Sequence, residues 1–183
     1  MDDGQAIRRL KGGDIGGLET LVSRYQVEAM RTAFLITHDE ALAEDVVQET
    51  FLRIYHRIRG FDEARPFKAY LMRSVINSAL NAVRRRERAV PLDGDIGDLE
   101  VLLAQAASVE ALVEYGQLQR QVLDALGRLS PRQRAAVVQR YYLEMTESEM
   151  AESLEVARGT VKWLLHAARA RLRELLVSGR RAE

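Results

Sequence analysis

The chain has 183 residues, 47% of them hydrophobic, with 27 basic and 27 acidic side chains and no cysteine. That length holds one large or two small domains around a real core. The absence of cysteine excludes a disulfide framework and thiolate metal sites and fits a reducing cytoplasm.

A net charge of zero is unusual for a nucleic-acid binder, but the charge lies in blocks. Residues 1–52 carry 10 acidic and 5 basic groups, 53–88 carry 3 and 10, 89–127 carry 7 and 1, and 128–183 carry 7 and 11. Two basic blocks separated by an acidic one predict two nucleic-acid contacts joined by a connector that avoids nucleic acid. The opening MDDGQAIRRLKGG has no apolar run of the signal-peptide kind. No stretch approaches the ~18 apolar residues of a membrane span. A cytoplasmic protein without a membrane span is therefore expected. Three prolines and no strand-like alternation predict an all-α fold.

In chain order, a short helix over 5–15 closes at Gly12-Gly13. Asp14 is placed to cap a second helix, about Leu18 to Ile36, with Leu18, Leu21, Tyr25, Ala29 and Ile36 on its buried face. Thr37 and Glu40 read as a capping box for a third helix that runs to Arg59 and stops at Gly60. Its buried face is Val47, Phe51, Ile54 and Ile58. Its opposite face is Asp45, Gln48, Glu49 and Leu52. Carboxylates are normally solvated, but an exposed leucine beside them points to a partner.

After a loop over 61–65, Pro66 sits at a plausible first helical position. The next helix reaches Arg88 and is apolar over Phe67, Leu71, Val75, Ile76, Ala79, Leu80 and Val83. Its other arc is Arg73, Asn77, Asn81 and Arg84, and it ends in Arg84-Arg85-Arg86-Glu87-Arg88. The macrodipole favours arginine at a helix C-terminus, but four in five residues exceed that need. Phe61, Phe67 and Tyr70 beside this basic helix could stack on unpaired bases. Singly, each is more naturally core.

Residues 89–112 read as an acidic linker, broken by Pro91, Gly94 and Gly97 and charged by Asp93, Asp95, Asp98 and Glu100. Helix resumes near Val109, with Leu112, Leu118, Val122, Leu123 and Leu126 expected to pack against the C-terminal helices. Ser130, Pro131 and Gln133 then open a helix with a capping box, and Thr146 with Glu149 makes a second box for a short helix through Leu154. A tight turn, Glu155-Val156-Ala157, leads to a long helix from Arg158. Small Ala151 sits where two crossing helices must approach closely. Val161, Leu165, Ala168, Leu172 and Leu175 form the buried face of the long helix. Arg158, Lys162, His166, Arg169 and Arg173 form a basic stripe on the other. On charge alone such a stripe is a solvated face. Two capping boxes around a short turn make it a helix-turn-helix whose second helix suits the DNA major groove. The whole is read as two small helical domains: residues 1–88, then the linker 89–112, then residues 113–183.

No G-x-G-x-x-G, Walker, G-x-S-x-G or H-E-x-x-H motif occurs. His38, His56 and His166 lack metal-ligand spacing. An enzyme is not expected, nor a cofactor or a metal.

Three stretches together, AEDVVQETFLRIY (43–55), FDEARPFKAYLMRSVINSALNAVRRRER (61–88) and LSPRQRAAVVQRYYLEMTESEMAESL…GTVK…ARARLREL from Leu129, resemble a bacterial RNA polymerase sigma factor of the extracytoplasmic-function type. The resemblance covers roughly residues 5–88 and 110–177. It implies that Asp45, Gln48 and Glu49, with Leu52 beside them, dock on core RNA polymerase. It implies that the loop 61–68, including Phe61, Arg65, Phe67 and Lys68, reads and melts the −10 element of promoter DNA. Tyr70, Arg73, Asn77, Asn81, Arg84, Arg85, Arg86 and Arg88 belong to the same contact. It places Arg158, Thr160, Lys162 and His166 on the −35 element, with Trp163 and Arg169 on the same face. The linker matches a connector threaded through the polymerase cleft, and its 24 residues can span ~80 Å, against ~34 Å for a DNA turn.

The chain departs from the pattern at Glu155, where glycine is usual, at Ala157, where serine is usual, and at Tyr70, where tryptophan is usual. Trp163, Leu164 and Ala167 stand in place of a serine and two arginines. Weak −35 dependence is the expected result. The apolar pair Trp163 and Leu164 is either packing or a surface covered by a protein, such as an anti-sigma factor or the first domain. Two other functions stay open at this point: a sigma-like interaction protein that does not read a −35 element, and a free-standing helix-turn-helix regulator.

Overall fold

The computed structural model describes the backbone of residues 1–89 and 109–179 and the side chains of residues 1–88 and 118–177. Of the expected linker, residues 90–108 lie outside the described residues, and 109–112 are helical. Among the described residues there are eight α-helices and no strand. The chain divides into two compact units, Met1–Pro91 and Leu92–Glu183.

In the first unit, α1 (Asp3–Lys11) starts on a capping box in which the Asp2 carboxylate accepts from the Gln5 amide at 2.7 Å. The helix therefore begins two residues before the expected position. Gly13 takes a left-handed φ of 91°, which turns the chain toward α2 (Gly16–Thr37). Asp14 does not cap that helix as expected: the residue at the cap is Ile15, with a helical backbone and no side-chain cap bond, and Asp14 Oδ1 accepts from the Gly16 amide at 2.9 Å. At Gly17 the two helices cross so closely that an added Cβ would collide with the Ala6 carbonyl oxygen and lie 2.9 Å from the Leu10 amide nitrogen.

The expected capping box at Thr37 and Glu40 does not form. Thr37 is still helical, and His38 is left-handed. The residue with the extended backbone that a cap requires is Asp39, whose carboxylate accepts from the Leu42 amide at 2.8 Å and opens α3 (Glu40–Arg57). The Thr37 hydroxyl instead donates to the Asp39 carbonyl at 3.0 Å. A 3₁₀ turn, Ile58–Gly60, closes α3, and α4 (Phe67–Ala89) comes after the loop. Leu21 and Ile36 of α2, Ile54 of α3 and Leu71 and Ile76 of α4 are fully buried in the common core.

The second unit begins with α5 (Val109–Gly127). It buries Ala125 and Leu126, and Leu129 just beyond its end, but Leu118 is 50% exposed and Val122 38% exposed. The expectation that these two pack on the helix-turn-helix is corrected: among the described side chains of α5, the buried ones lie in its last turn. Leu112 lies outside the described side chains. Helix α6 (Pro131–Val137) opens on the Ser130–Gln133 capping box and runs on as a π turn, Val138–Tyr142. Helix α7 (Glu147–Leu154) opens on the Thr146–Glu149 box. Glu155 is left-handed with a φ of 54°, where a residue with a Cβ loses about 1 kcal/mol that glycine does not. Helix α8 (Arg158–Gly179) then packs Val161, Leu164 and Leu165 against Ala136 and Met150, with Ala151, Leu154 and Val156 at the edge of the cluster. Gln139, fully buried in the π turn, donates to Ser153 Oγ at 2.8 Å and ties that turn to α7.

Asp39 also pairs with Arg86 near the end of α4. The Leu42 amide and, after it, the Arg86 guanidinium hold its carboxyl below the ordinary value of 3.8. A lowered folded value gives stability that is complete above 3.8 and fades as the pH falls through the folded value. Asp39→Ala is expected to lose about 1 kcal/mol in urea unfolding at neutral pH, and the gap from the parent should close at more acid pH.

Candidate functional site

Helix α3 buries Val46, Val47, Thr50, Phe51 and Ile54 and so turns Asp45, Gln48, Glu49 and Leu52 to solvent. Gln48 donates across one turn to Glu44 at 3.1 Å. Leu52 is 57% exposed.

A groove of about 770 Å³ runs between α3 and α4. Glu49 and Leu52 stand at its α3 side with Arg53, His56 and Arg57, and Asn81, Arg84, Arg85 and Arg88 line it from α4. Arg53 is held there by donating to Ser78 Oγ at 2.9 Å. Five arginines facing one groove make a field suited to a polyanion backbone. Arg53, His56 and Arg57 were not singled out from the sequence. The available signal was their spacing, four and eight residues after Glu49 and four after Leu52. Arg86 is turned the other way, onto Asp39. Arg73 and Asn77 are half-buried, whereas Asn81 is exposed.

The loop before α4 exposes residues 62–66. Phe61 and Phe67 are buried, 8% and 2% exposed, and pack edge to face at 5.8 Å, with Tyr25 and half-buried Tyr70 against them. Neither phenyl ring can stack on an unpaired base without leaving the core. Their expected place among the base-contacting residues is corrected: they anchor the loop from below. Lys11 tethers it from the side, with Nζ donating to the Phe61 carbonyl at 2.7 Å and to Glu63 Oε1 at 2.8 Å. Hydrogen bonding from Lys11 holds the Glu63 carboxyl below the usual carboxylate range. Arg65 lies 3.7 Å from Asp62, and Lys68 pairs with Glu28 at 2.8 Å.

On α8, Arg158, Lys162, Trp163, His166 and Arg169 are exposed and Thr160 is half-buried. Lys162 lies 3.9 Å from Glu147, and Arg169 Nε donates to the Leu165 carbonyl at 3.1 Å. The apolar pair divides: Leu164 is 4% exposed and belongs to the core, whereas Trp163 is 63% exposed. The reading of Leu164 as part of a covered surface is corrected, and Leu164→Arg would bury a charge rather than restore a DNA contact.

Residues 21–89 match the family model for Sigma-70 region 2, and residues 119–172 match that for Sigma-70, region 4. The RNA polymerase sigma-E factor of Streptomyces avermitilis is 34% identical over 91% of this chain and 88% of its own. The ECF RNA polymerase sigma factor SigL of Mycobacterium tuberculosis is 31% identical over 85% and 86%, and SigW of Bacillus subtilis is 27% identical over 93% and 94%. The chain belongs to the extracytoplasmic-function family of RNA polymerase sigma factors. It is an alternative sigma factor that directs promoter recognition and transcription initiation, and its two-region match excludes a free-standing helix-turn-helix regulator. Two solved structures share the fold. CnrH in complex with the cytosolic domain of CnrY has a TM-score of 0.66 at 24% identity, over 96% of this chain and 97% of that one. The sigma factor RpoE with the anti-sigma factor NepR from Bartonella quintana has a TM-score of 0.67 at 22%, over 86% and 95%. No described helix of this sigma factor is long and apolar enough to cross a membrane.

The tether at Lys11 has a direct readout. Asp62 accepts from the Ala64 amide through its side chain and from the Arg65 amide through its backbone, at 3.0 and 3.1 Å. Lys11→Met is expected to speed hydrogen exchange at these two amides about ten-fold, the factor of one charge-assisted hydrogen bond, with exchange in the α3 core unchanged.

Proposed function

We propose that this sigma factor docks on core RNA polymerase through Asp45, Gln48, Glu49 and Leu52. The loop 62–66, Lys68 and the arc Arg73, Asn77 and Asn81 read and open the −10 element, and the groove arginines 84, 85 and 88 carry its phosphates. Arg53, His56 and Arg57 join them on the α3 side. The outward face of α8, with Arg158, Thr160, Lys162, Trp163, His166 and Arg169, meets the −35 element. These roles assign residues 1–88 to core binding and melting, 113–183 to −35 recognition and the acidic stretch 89–112 to the connector. The cytoplasm, where core polymerase works, is its place of action.

The observation that carries this reading is the position of exposed Leu52 between the acidic face of α3 and the basic groove. A docking face and a nucleic-acid face then share one rigid pair of helices, so binding polymerase also fixes where the strand runs. Two proteins of the same fold are solved with CnrY or with the anti-sigma factor NepR, which supports an anti-sigma factor as a third partner of this chain.

Asp45 and Glu49 are solvent-facing, so reversing both charges should change folding stability by no more than about 0.5 kcal/mol. Asp45→Arg with Glu49→Arg is expected to abolish co-purification with core polymerase. A folded double variant that still co-purifies at the parent level sinks the assignment of this face.

A further inference from the structure

Helix α1 takes no part in the contacts proposed above, yet it holds the loop 62–66 at both ends. At the loop's start, Phe61 has its ring in the core and its amide donating to the Ile58 carbonyl at 3.0 Å. Lys11 Nζ adds a second hold on the same residue, donating to the Phe61 carbonyl at 2.7 Å. At the loop's far end, the Phe67 ring packs on Tyr25 at 5.8 Å, and the Tyr25 hydroxyl donates to the Asp3 carboxylate. Asp3 and Lys11 are the first and last residues of α1. The helix is seated in turn on α2 at Gly17, where the fit leaves no room for a Cβ.

Within the loop, Asp62 bonds locally, to the Ala64 and Arg65 amides. Glu63 reaches out instead, to Lys11 Nζ at 2.8 Å and to Arg8 at 3.4 Å. An exposed ion pair contributes little by itself. Lys11 does more than pair, because its second bond goes to backbone and so fixes the path of the chain. Charge matters as well. The loop carries Asp62 and Glu63 against Arg65, and unpaired carboxylates repel a phosphodiester strand. With Lys11 and Arg8 on Glu63, the strand meets a loop whose acid is already neutralised.

We propose that Lys11 is a positioning residue for −10 recognition: through Phe61 and Glu63 it sets the loop in the shape that receives the unwound strand. It acts through the loop, not on a base. This rests on the reading of the loop 62–66 as part of the −10 contact. A preorganised loop receives an extruded base without first having to order itself. A loosened one receives right and wrong bases on more equal terms, so the loss falls on discrimination.

The test uses the chain bound to core polymerase. A preferred −10 element is selected from a randomised promoter library, and each of its bases is then changed singly. The readout is the occupancy of the preferred element divided by that of each altered one. That ratio does not depend on how much of a variant is folded, so a merely structural loss leaves it unchanged. Lys11→Met is expected to narrow the ratio about ten-fold at one or more positions, within the range of one base contact. Lys11→Arg, which can donate to the same two acceptors, should restore most of it. A uniform loss on every promoter is the mark of a phosphate contact and overturns the proposal. So does an unchanged ratio, or one that Lys11→Arg narrows as far as Lys11→Met. Arg65→Ala separates this failure from that of the loop reading. If Arg65→Ala narrows the ratio where Lys11→Met does not, the loop reads the element and only the role of Lys11 falls. If neither variant narrows it, the loop reading fails first.

Discussion

The packing of α3 against α4 is the constraint on which the surface of the first unit depends. Thr50 and Ser78 meet at 3.2 Å inside the seam, and Arg53 reaches the same Ser78 hydroxyl. The arginines of both helices are thereby brought to one groove, where they repel. At close approach in water such repulsion is ~1 kcal/mol per pair. Each fully buried aliphatic side chain, such as Ile54, Leu71 or Ile76, contributes about 1.5–3 kcal/mol. Burial on the inner faces therefore outweighs repulsion on the outer ones. The groove can stay strongly basic because the helices are held together from behind.

The second unit solves a different problem, a tight turn between two short-range elements. Two capping boxes satisfy first-turn amides of α6 and α7, and the buried Gln139–Ser153 contact fixes α7 against the π turn. The cost falls on Glu155, a residue with a Cβ in a left-handed turn. Past that turn, adjacent residues of α8 have opposite fates. About 100° of rotation per residue puts Leu164 in the core and Trp163 in solvent, although they are neighbours of similar apolar character.

That contrast shows what the sequence could and could not disclose. The boxes at Ser130 and Thr146 were legible because a hydroxyl with Gln or Glu three residues later has a local mechanism. The buried faces of α3 and α4 were legible by period. Thr37 and Glu40 have the same spelling as a capping box, but α2 continues through Thr37 and the cap falls to Asp39. Leu118 and Val122 belong to a good apolar stripe, but how far along α5 the core reaches is tertiary information. Phe61 and Phe67 lie beside arginines in sequence yet under the loop in space. Arg53 and Arg57 took on meaning only when α4 supplied the facing wall. In each case the residue pattern named the possible partners, and the packing of another helix selected one.

The charge blocks acquire a physical role in this arrangement. Residues 1–52 and 53–88 carry nearly opposite charge and fold into one unit, so its long-range field largely cancels and steers DNA weakly. What survives is short-range: the acidic face of α3, and the basic groove that it borders at Glu49 and Leu52. Isolated apolar residues on a surface are ordinary. Leu52 and Trp163 differ because each stands exposed within a face proposed for a contact, Leu52 between Glu49 and the basic groove, Trp163 beside Lys162 and His166. With weak steering, selectivity must come from such close contacts, and those form only after a partner has brought the surfaces within reach. A chain of this kind is suited to act as a subunit of an enzyme that holds the DNA for it, not as a DNA binder in its own right.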